Sequence, residues 1–241
     1  MKAVIIGDIH GHDSWKQIVK QNPDADKFIF VGDYFDSFSV PGLMQMHNFK
    51  EIIEFKNTSG KEVITLIGNH DFHYLPEIND KASGYQYKLA PSIGSLLNEN
   101  REHLQVAYRF EDFVFSHAGI SSEWMNDIFG NDWTVDNMVD KINELFFYKS
   151  HLIKYRSFKE GYLVQGYGDE PFQGPLWIRP KSLMRVNRET LREQVIQIVG
   201  HTIMNTIDIE GKSTGGRYYF IDTLPREYLI INNNVISVGK F

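Results

Sequence analysis

Asp8 and His10 in Gly-Asp-Ile-His-Gly (7–11), Asp33 and Asp36 in Gly-Asp-Tyr-Phe-Asp (32–36), Asn69, His70 and Asp71 after Gly68, His117 in Ser-His-Ala-Gly (116–119) and His201 in Gly-His-Thr (200–202) are side chains that bind cations or move protons. Carboxylate, imidazole and amide donors together suit manganese, iron, zinc or magnesium better than a soft metal. One ion does not need so many donors, whereas two ions sharing Asp33 would use the set. Taken singly, each has an ordinary structural explanation. A strand-end aspartate such as Asp8 often accepts backbone N–H bonds, Gly-Asn-His (68–70) can simply turn, and a lone His117 can be a satisfied structural residue. Together, at five strand ends, they point to a common site.

The elements around these residues explain why they would meet. Residues 3–6, 27–31 and 63–67 read as buried strands, separated by a short helical face at Trp15, Ile18 and Val19 and by a helix opened by Pro41 and closed by Gly60. Leu43, Met46, Phe49, Ile52 and Ile53 are expected to form the apolar face of the second helix. Residues 85–97 predict a helix interrupted at Pro91, residues 104–110 and 113–116 an antiparallel pair, and residues 124–129 and 135–148 two helices. Residues 156–175, rich in glycine and aromatics, predict a loop. Residues 194–199, 206–209, 217–221, 228–231 and 235–238 predict strands, the last two joined as a hairpin through Asn232, Asn233 and Asn234. Asp8, Asp33, Asn69, His117 and His201 each follow one of these strands. In α/β sheets, sites gather outside the carboxyl ends of strands.

With 241 residues and 42% of them hydrophobic, the chain can bury one sizeable α/β core, and one domain over 1–241 suffices. The formal charge of −6 argues against extended binding to nucleic acid or to anionic lipid. Without cysteine there is no disulfide framework, thiolate nucleophile or cysteine-held zinc, which favours a cytoplasmic setting. The apolar run before Gly7 is too short for a signal peptide or a membrane span.

The ordered motifs 7–11, 32–36, 68–71, 116–119 and 200–202 resemble those of the calcineurin-like metallophosphoesterases, closest in spacing to the phosphoprotein phosphatase branch and its small bacterial and phage relatives. The resemblance implies an α-β-β-α sandwich of two mixed sheets flanked by helices. It also implies two divalent ions, manganese first, with iron, zinc, nickel or magnesium as alternatives. Asp8 and His10 would hold one ion, Asp33 would bridge, and Asn69, His117 and His201 would complete the second. His70 would be the general acid, oriented by Asp36. The implied reaction is hydrolysis of a phosphate monoester by metal-activated hydroxide, on a phosphorylated small molecule, nucleotide or phosphopeptide. The alternative is a phosphodiester or phosphoanhydride such as a cyclic nucleotide or dinucleoside polyphosphate.

Two positions depart from the pattern. Ser37 stands where the phosphatase branch has an arginine after the second aspartate, so one phosphate clamp is missing or comes from elsewhere. Pro-Leu-Trp-Ile-Arg-Pro (175–180) resembles a Leu-Trp-x-Arg segment of bacterial members and makes Arg179 the leading substrate-binding arginine, ahead of Arg156, Arg185 and Arg217. Ile203 stands where nuclease and cyclic-phosphodiesterase branches have a second histidine. Tyr34, Phe35 and Phe38 flank the Ser37 position as core, lid or an aromatic wall.

Overall fold

The computed structural model describes residues 1–153, 170–186, 191–211 and 214–241. Two mixed sheets lie face to face in a single α/β domain. The first has six strands, in the order β10 (Val235–Lys240), β9 (Glu227–Asn232), β1 (Lys2–Ile6), β2 (Lys27–Phe30), β3 (Glu62–Leu66) and β4 (Leu104–Gln105). β1 to β4 run parallel, and β9 is antiparallel to both β1 and β10. The second contains β5 (Ala107–Phe110), β6 (Phe113–Ser116), β7 (Ile196–Val199) and β8 (Tyr218–Phe220), antiparallel at its first pair and parallel elsewhere.

Side chains alternate across each strand, so one run of apolar residues serves two cores. Ala3, Ile5, Ile29, Val31, Ile64 and Leu66 face the second sheet and pack with Phe115, Ile198 and Ile221. Val4, Ile6, Phe28 and Phe30 face outward, toward Trp15 and Ile18 of α1 (Ser14–Gln21) and Phe49 and Ile52 of α2 (Gly42–Thr58). The helices α3 (Asn69–Phe72), α4 (Ala90–Glu99), α5 (Ser122–Phe129) and α6 (Met138–Tyr148) follow. Leu183 of α7 (Pro180–Val186) packs against Val199, Tyr218 and Phe220, and α8 (Leu191–Gln194) leads into β7. Phe115 is fully buried between the sheets. Phe115→Ala is expected to cost about 3–5 kcal/mol, read as a lowered urea midpoint with an unchanged slope.

Several expected elements differ, each for a local reason. The run 104–110 is two strands in two sheets: Asn143 of α6 accepts from the Val106 and Ala107 N–H groups at 2.9 and 3.1 Å and returns a bond to Ala107 O, holding the crossover. Residues 206–209 form no strand, because the Glu227 carboxylate takes the Ile207 N–H and the Thr206 hydroxyl, each at 2.8 Å. Pro91 sits in the first turn of α4, where its missing N–H costs nothing, and residues 85–89 lie outside that helix. Leu43 is exposed, and the buried face of α2 instead includes Gln45 and Asn48. Asn48 accepts from the Trp15 indole and donates to Gly11 O, tying the helix to the first loop. The β9–β10 hairpin turns through Asn233 and Asn234, both with positive φ. Most of the expected loop 156–175, with Arg156, lies outside the described residues. No helix among the described residues is long and apolar enough to cross a membrane.

Candidate metal centre

The loops leaving β1, β2, β3 and β7 converge at one edge of the two sheets. Asp8, His10, Asp33, Asp36, Asn69, His70, Arg179 and His201 line a single cavity of about 520 Å³. His117, which follows β6, is fully buried beside it, with Nε2 2.8 Å from Asn69 Oδ1 and 3.4 Å from Asp33 Oδ2. His201 Nδ1 lies 2.9 Å from the same amide oxygen and 3.2 Å from His117 Nε2. Arg185 and Arg217 are not on the cavity wall. Tyr34 and Phe35 are buried in the core, whereas Phe38 stands out at the cavity.

Four of these residues hold left-handed backbone without being glycine: His10 (φ 42°), Asp33 (φ 53°), Asp36 (φ 64°) and His201 (φ 65°). Such conformations are uncommon outside glycine and persist only where the surroundings enforce them. Here they do. His10 N–H donates to Asp33 O at 2.6 Å, and the His201 N–H sits 3.0–3.1 Å from both Asp8 carboxylate oxygens. Asp71 fastens the β2 loop to the β3 loop, accepting from Tyr34, Phe35 and Gly68 N–H groups. Burial and the nearby Asp33 nevertheless push the Asp71 carboxyl up to about 8.

The imidazoles sort themselves by what their second nitrogen touches. His10 Nδ1 donates to Phe35 O at 2.7 Å, His117 Nδ1 to Val31 O at 2.9 Å, and His201 Nε2 to Trp177 O at 3.1 Å. A backbone carbonyl on one nitrogen fixes the tautomer and leaves the other nitrogen as a donor to a cation. His10 Nε2 then faces Asp33 Oδ2 at 3.7 Å, and the inward nitrogens of His117 and His201 face Asn69. A ring of lone pairs packed this closely fits positive charge at its centre. The electrostatics agree. Burial raises Asp8 well above the usual carboxylate range, with Asp222 and Asp33 adding to it. Burial disfavours a charged His117, yet Asp33 and Asp8 outweigh it and hold a proton there up to about 10. Asp33 itself is also opposed by burial, but His117, His70 and His10 keep it well below the usual range.

Asp8, His10 and Asp33 bring three ligand-type atoms within 4.8 Å of one another, consistent with a metal site beside the inward nitrogens of His117 and His201, and Asp36, His70 and His73 form a second such group. The second group forms a hydrogen-bonded network centred on Asp36. Asp36 Oδ2 accepts from His70 Nδ1 at 2.9 Å and lies 2.8 Å from His73 Nε2, while its other oxygen accepts from the Tyr74 hydroxyl and from Gln86. Against burial, these contacts lower Asp36 to about 2. His73 Nδ1 accepts the Ala82 N–H at 3.0 Å, so a neutral His73 carries its proton on Nε2, toward Asp36.

Arg179 precedes α7 and places Nη1 3.3 Å from His201 O and 3.2 Å from Thr202 Oγ1. Ile178 beside it is fully buried. Sequence reasoning passed over three contributors. Asp222 follows β8 and lines the cavity, the same strand-end signature as the others. His73 lies three positions after His70, on the same helical face, and Trp177 lines the cavity as well as packing on the His201 ring, 5.5 Å between centroids.

Residues 1–236 match the family described as calcineurin-like phosphoesterase. The chain is similar to a protein of Nitrosococcus oceani named bis(5'-nucleosyl)-tetraphosphatase, symmetrical, with 29% identity over 136 residues, 52% of this chain and 46% of that one. A protein of the same name from Vibrio cholerae is 29% identical over 134 residues, with the same shares covered. The match thus spans about half the length of these curated relatives. Among solved structures, a cold-active protein-tyrosine phosphatase of a psychrophilic Shewanella has a TM-score of 0.65 at 17% identity, covering 99% of this chain and 77% of that one. A protein serine/threonine phosphatase from Saccharomyces cerevisiae has a TM-score of 0.62 at 14% identity, covering 100% and 80%. At these identities the structural likeness is one of fold.

Proposed function

The chain belongs to the calcineurin-like phosphoesterase family, and on that basis we propose that it is a metal-dependent phosphoesterase whose substrate is a phosphoanhydride of the dinucleoside polyphosphate class. The observation that carries the activity is the inward-facing donor set at the strand ends. Asp8, His10 and Asp33 would hold one divalent ion, and Asp33, Asn69, His117 and His201 a second, manganese first, with iron, zinc, nickel or magnesium as alternatives. Oxygen and nitrogen donors, each imidazole backed by a backbone carbonyl, suit such ions. Bound there, the ions would supply charge neutralisation at phosphorus and an activated water.

The protein's own groups do the rest. His70 would give a proton to the leaving oxygen, with its other nitrogen held by Asp36. Arg179 would clamp phosphate oxygens from the cavity wall. A guanidinium hydrogen bond to a charged partner contributes about 1.5–3 kcal/mol. Arg179→Met is therefore expected to raise KM roughly tenfold or more with a smaller change in kcat, measured by steady-state kinetics. An unchanged KM would remove Arg179 from the substrate site.

The monoester reading, which the sequence places first, keeps the support of Arg179, since a guanidinium fork suits a terminal dianion. Two observations favour the anhydride. The curated relatives cited above are named as tetraphosphatases, and Ser37, where the phosphatase branch has an arginine, contributes no charge to the cavity. Loss of that clamp weakens binding of a terminal dianion more than of an internal, singly charged phosphate. A cytoplasmic setting belongs to the same proposal, since a chain without cysteine asks for no oxidising compartment. The test is a matrix of apo-protein reconstituted with each of the five metals against diadenosine tetraphosphate, bis-p-nitrophenyl phosphate and p-nitrophenyl phosphate. The highest kcat/KM is expected for the tetraphosphate; a faster p-nitrophenyl phosphate reaction would return the monoester to first place.

A further inference from the structure

The cavity is larger than a phosphate requires, and part of its wall is apolar. At about 520 Å³ it falls among cavities that enclose whole small molecules. Among the described residues, the two most exposed large hydrophobic side chains are Phe38 at 89% and Ile203 at 81%, and both line this cavity. Isolated exposed apolar residues need no explanation, but two such extremes on the wall of one polar cleft do.

Neither residue is exposed because its loop lacks anchors. Ser37 Oγ accepts from the N–H groups of Ser39 and Val40 at 3.2 and 3.1 Å, closing a turn with Phe38 at its tip. Gln45 holds the far end of that turn, donating to Val40 O at 2.6 Å. Ile203 is bracketed in the same way, by Thr202 N–H on Gly200 O at 2.7 Å and Met204 N–H on Asp222 O at 2.9 Å. Serine at position 37 thus shapes the turn that presents an aromatic ring to the cleft.

We propose that Phe38 and Ile203 form a nucleobase subsite, in which the base of a nucleoside polyphosphate stacks on the Phe38 ring and packs against Ile203 while its phosphates lie toward Arg179 and the strand-end donors. This rests on reading the cleft as a phosphate site and deepens it by assigning the recognition of the nucleoside. An aromatic ring offers its face to the π-face that every base has, so the subsite takes adenine and guanine alike. Discrimination among bases is weak, and discrimination against substrates without a base is strong.

The test compares two non-hydrolysable ligands that share one singly esterified bisphosphonate: α,β-methylene-ADP and monomethyl methylenediphosphonate, titrated calorimetrically into metal-loaded protein. The nucleotide is expected to bind about tenfold or more tightly than the methyl bisphosphonate, and the guanine analogue within about threefold of the adenine one. In Phe38→Ala/Ile203→Ala, whose side chains lie outside the core, the ratio between nucleotide and bisphosphonate collapses toward one. Phe38→Trp, with a larger stacking face, keeps or widens it. Equal binding of the two ligands to the native protein overturns the subsite, as does a ratio that survives the double substitution. A cleft that prefers p-nitrophenyl phosphonate to the nucleotide overturns it too, reassigning the rim to an aryl leaving group. Because no turnover is involved, failure of dinucleotide hydrolysis leaves this answer intact, and failure of this comparison leaves the hydrolytic reading standing.

Discussion

His70→Asn lowers kcat by about 10²–10⁴-fold with metal content unchanged, if His70 is the general acid. The geometry behind this expectation is specific. His70 is the second residue of α3, just after the β3 loop, and its backbone N–H donates to Asp33 Oδ1 at 2.9 Å, fixing the residue against the proposed bridging carboxylate. In its side chain, Nδ1 donates to Asp36 at 2.9 Å. Burial works against a charged His70, but Asp33 and Asp36 outweigh it and raise its pKa. A proton donor near neutral pH needs that balance. Asparagine keeps the backbone bond and roughly the polarity while removing the proton, so the loss should appear in kcat. The loss should also shrink for a weakly basic leaving group such as p-nitrophenolate, which needs little protonation, and stay large for a phosphate leaving group. Full activity of the variant on both substrates sinks the acid role. Asp36→Asn should show a smaller loss in the same direction, since Asp36 would act through His70, whose Nδ1 it holds.

Much of this site can be read from the chain because its logic is local at each strand end. Asp8, Asp33, His117 and His201 each follow a short apolar run and a glycine or serine, and parallel strands bring such ends together whatever lies between. The two-sheet sandwich is legible for a related reason, as short continuous apolar runs in β1, β2 and β3 that are buried on both faces. What escapes is decided by groups distant in sequence. Residues 104–110 are apolar enough for either sheet, and the bonds that hold the switch at Val106 come from Asn143, distant in sequence on α6. Asp222 follows β8 with the same signature as the others, but its run Tyr-Tyr-Phe-Ile-Asp reads equally as an altered closing strand. Its closeness in charge to Asp8 and Asp33 is a tertiary fact. α3, Asn69–Phe72, is a single turn, too short for periodicity to reveal, so the pairing of His70 with His73 stays hidden. At Ser37, comparison of motifs reports a missing arginine, whereas the structure reports a turn that lifts Phe38 into the cleft.

Asp33→Asn should abolish activity by a different route, through the ions rather than the proton. Asp33 is 2% exposed, its Oδ1 accepts the His70 N–H, and its Oδ2 faces His10 at 3.7 Å and His117 at 3.4 Å. It is the carboxylate toward which both proposed ion sites turn. Asparagine preserves the shape but removes the charge, and an amide NH₂ in place of Oδ2 would repel a cation. Metal content measured on the purified protein should therefore fall from two ions toward one or none, and kcat by about 10³-fold or more, since the ions supply several kcal/mol and each 1.36 kcal/mol is tenfold. The same loss should arise from a change that leaves Asp33 in place. A Cβ added at Gly68 would lie 2.1 Å from Asp33 Oδ1 and 2.4 Å from its backbone nitrogen, so Gly68→Ala must displace the carboxylate. The two variants differ in their response to added metal: excess manganese should restore part of the activity of Gly68→Ala, where the charge persists, and little of that of Asp33→Asn. Two tightly bound ions and near-native kcat in Asp33→Asn would show that Asp33 bridges nothing, and the donor set would have to be divided between the ions without it.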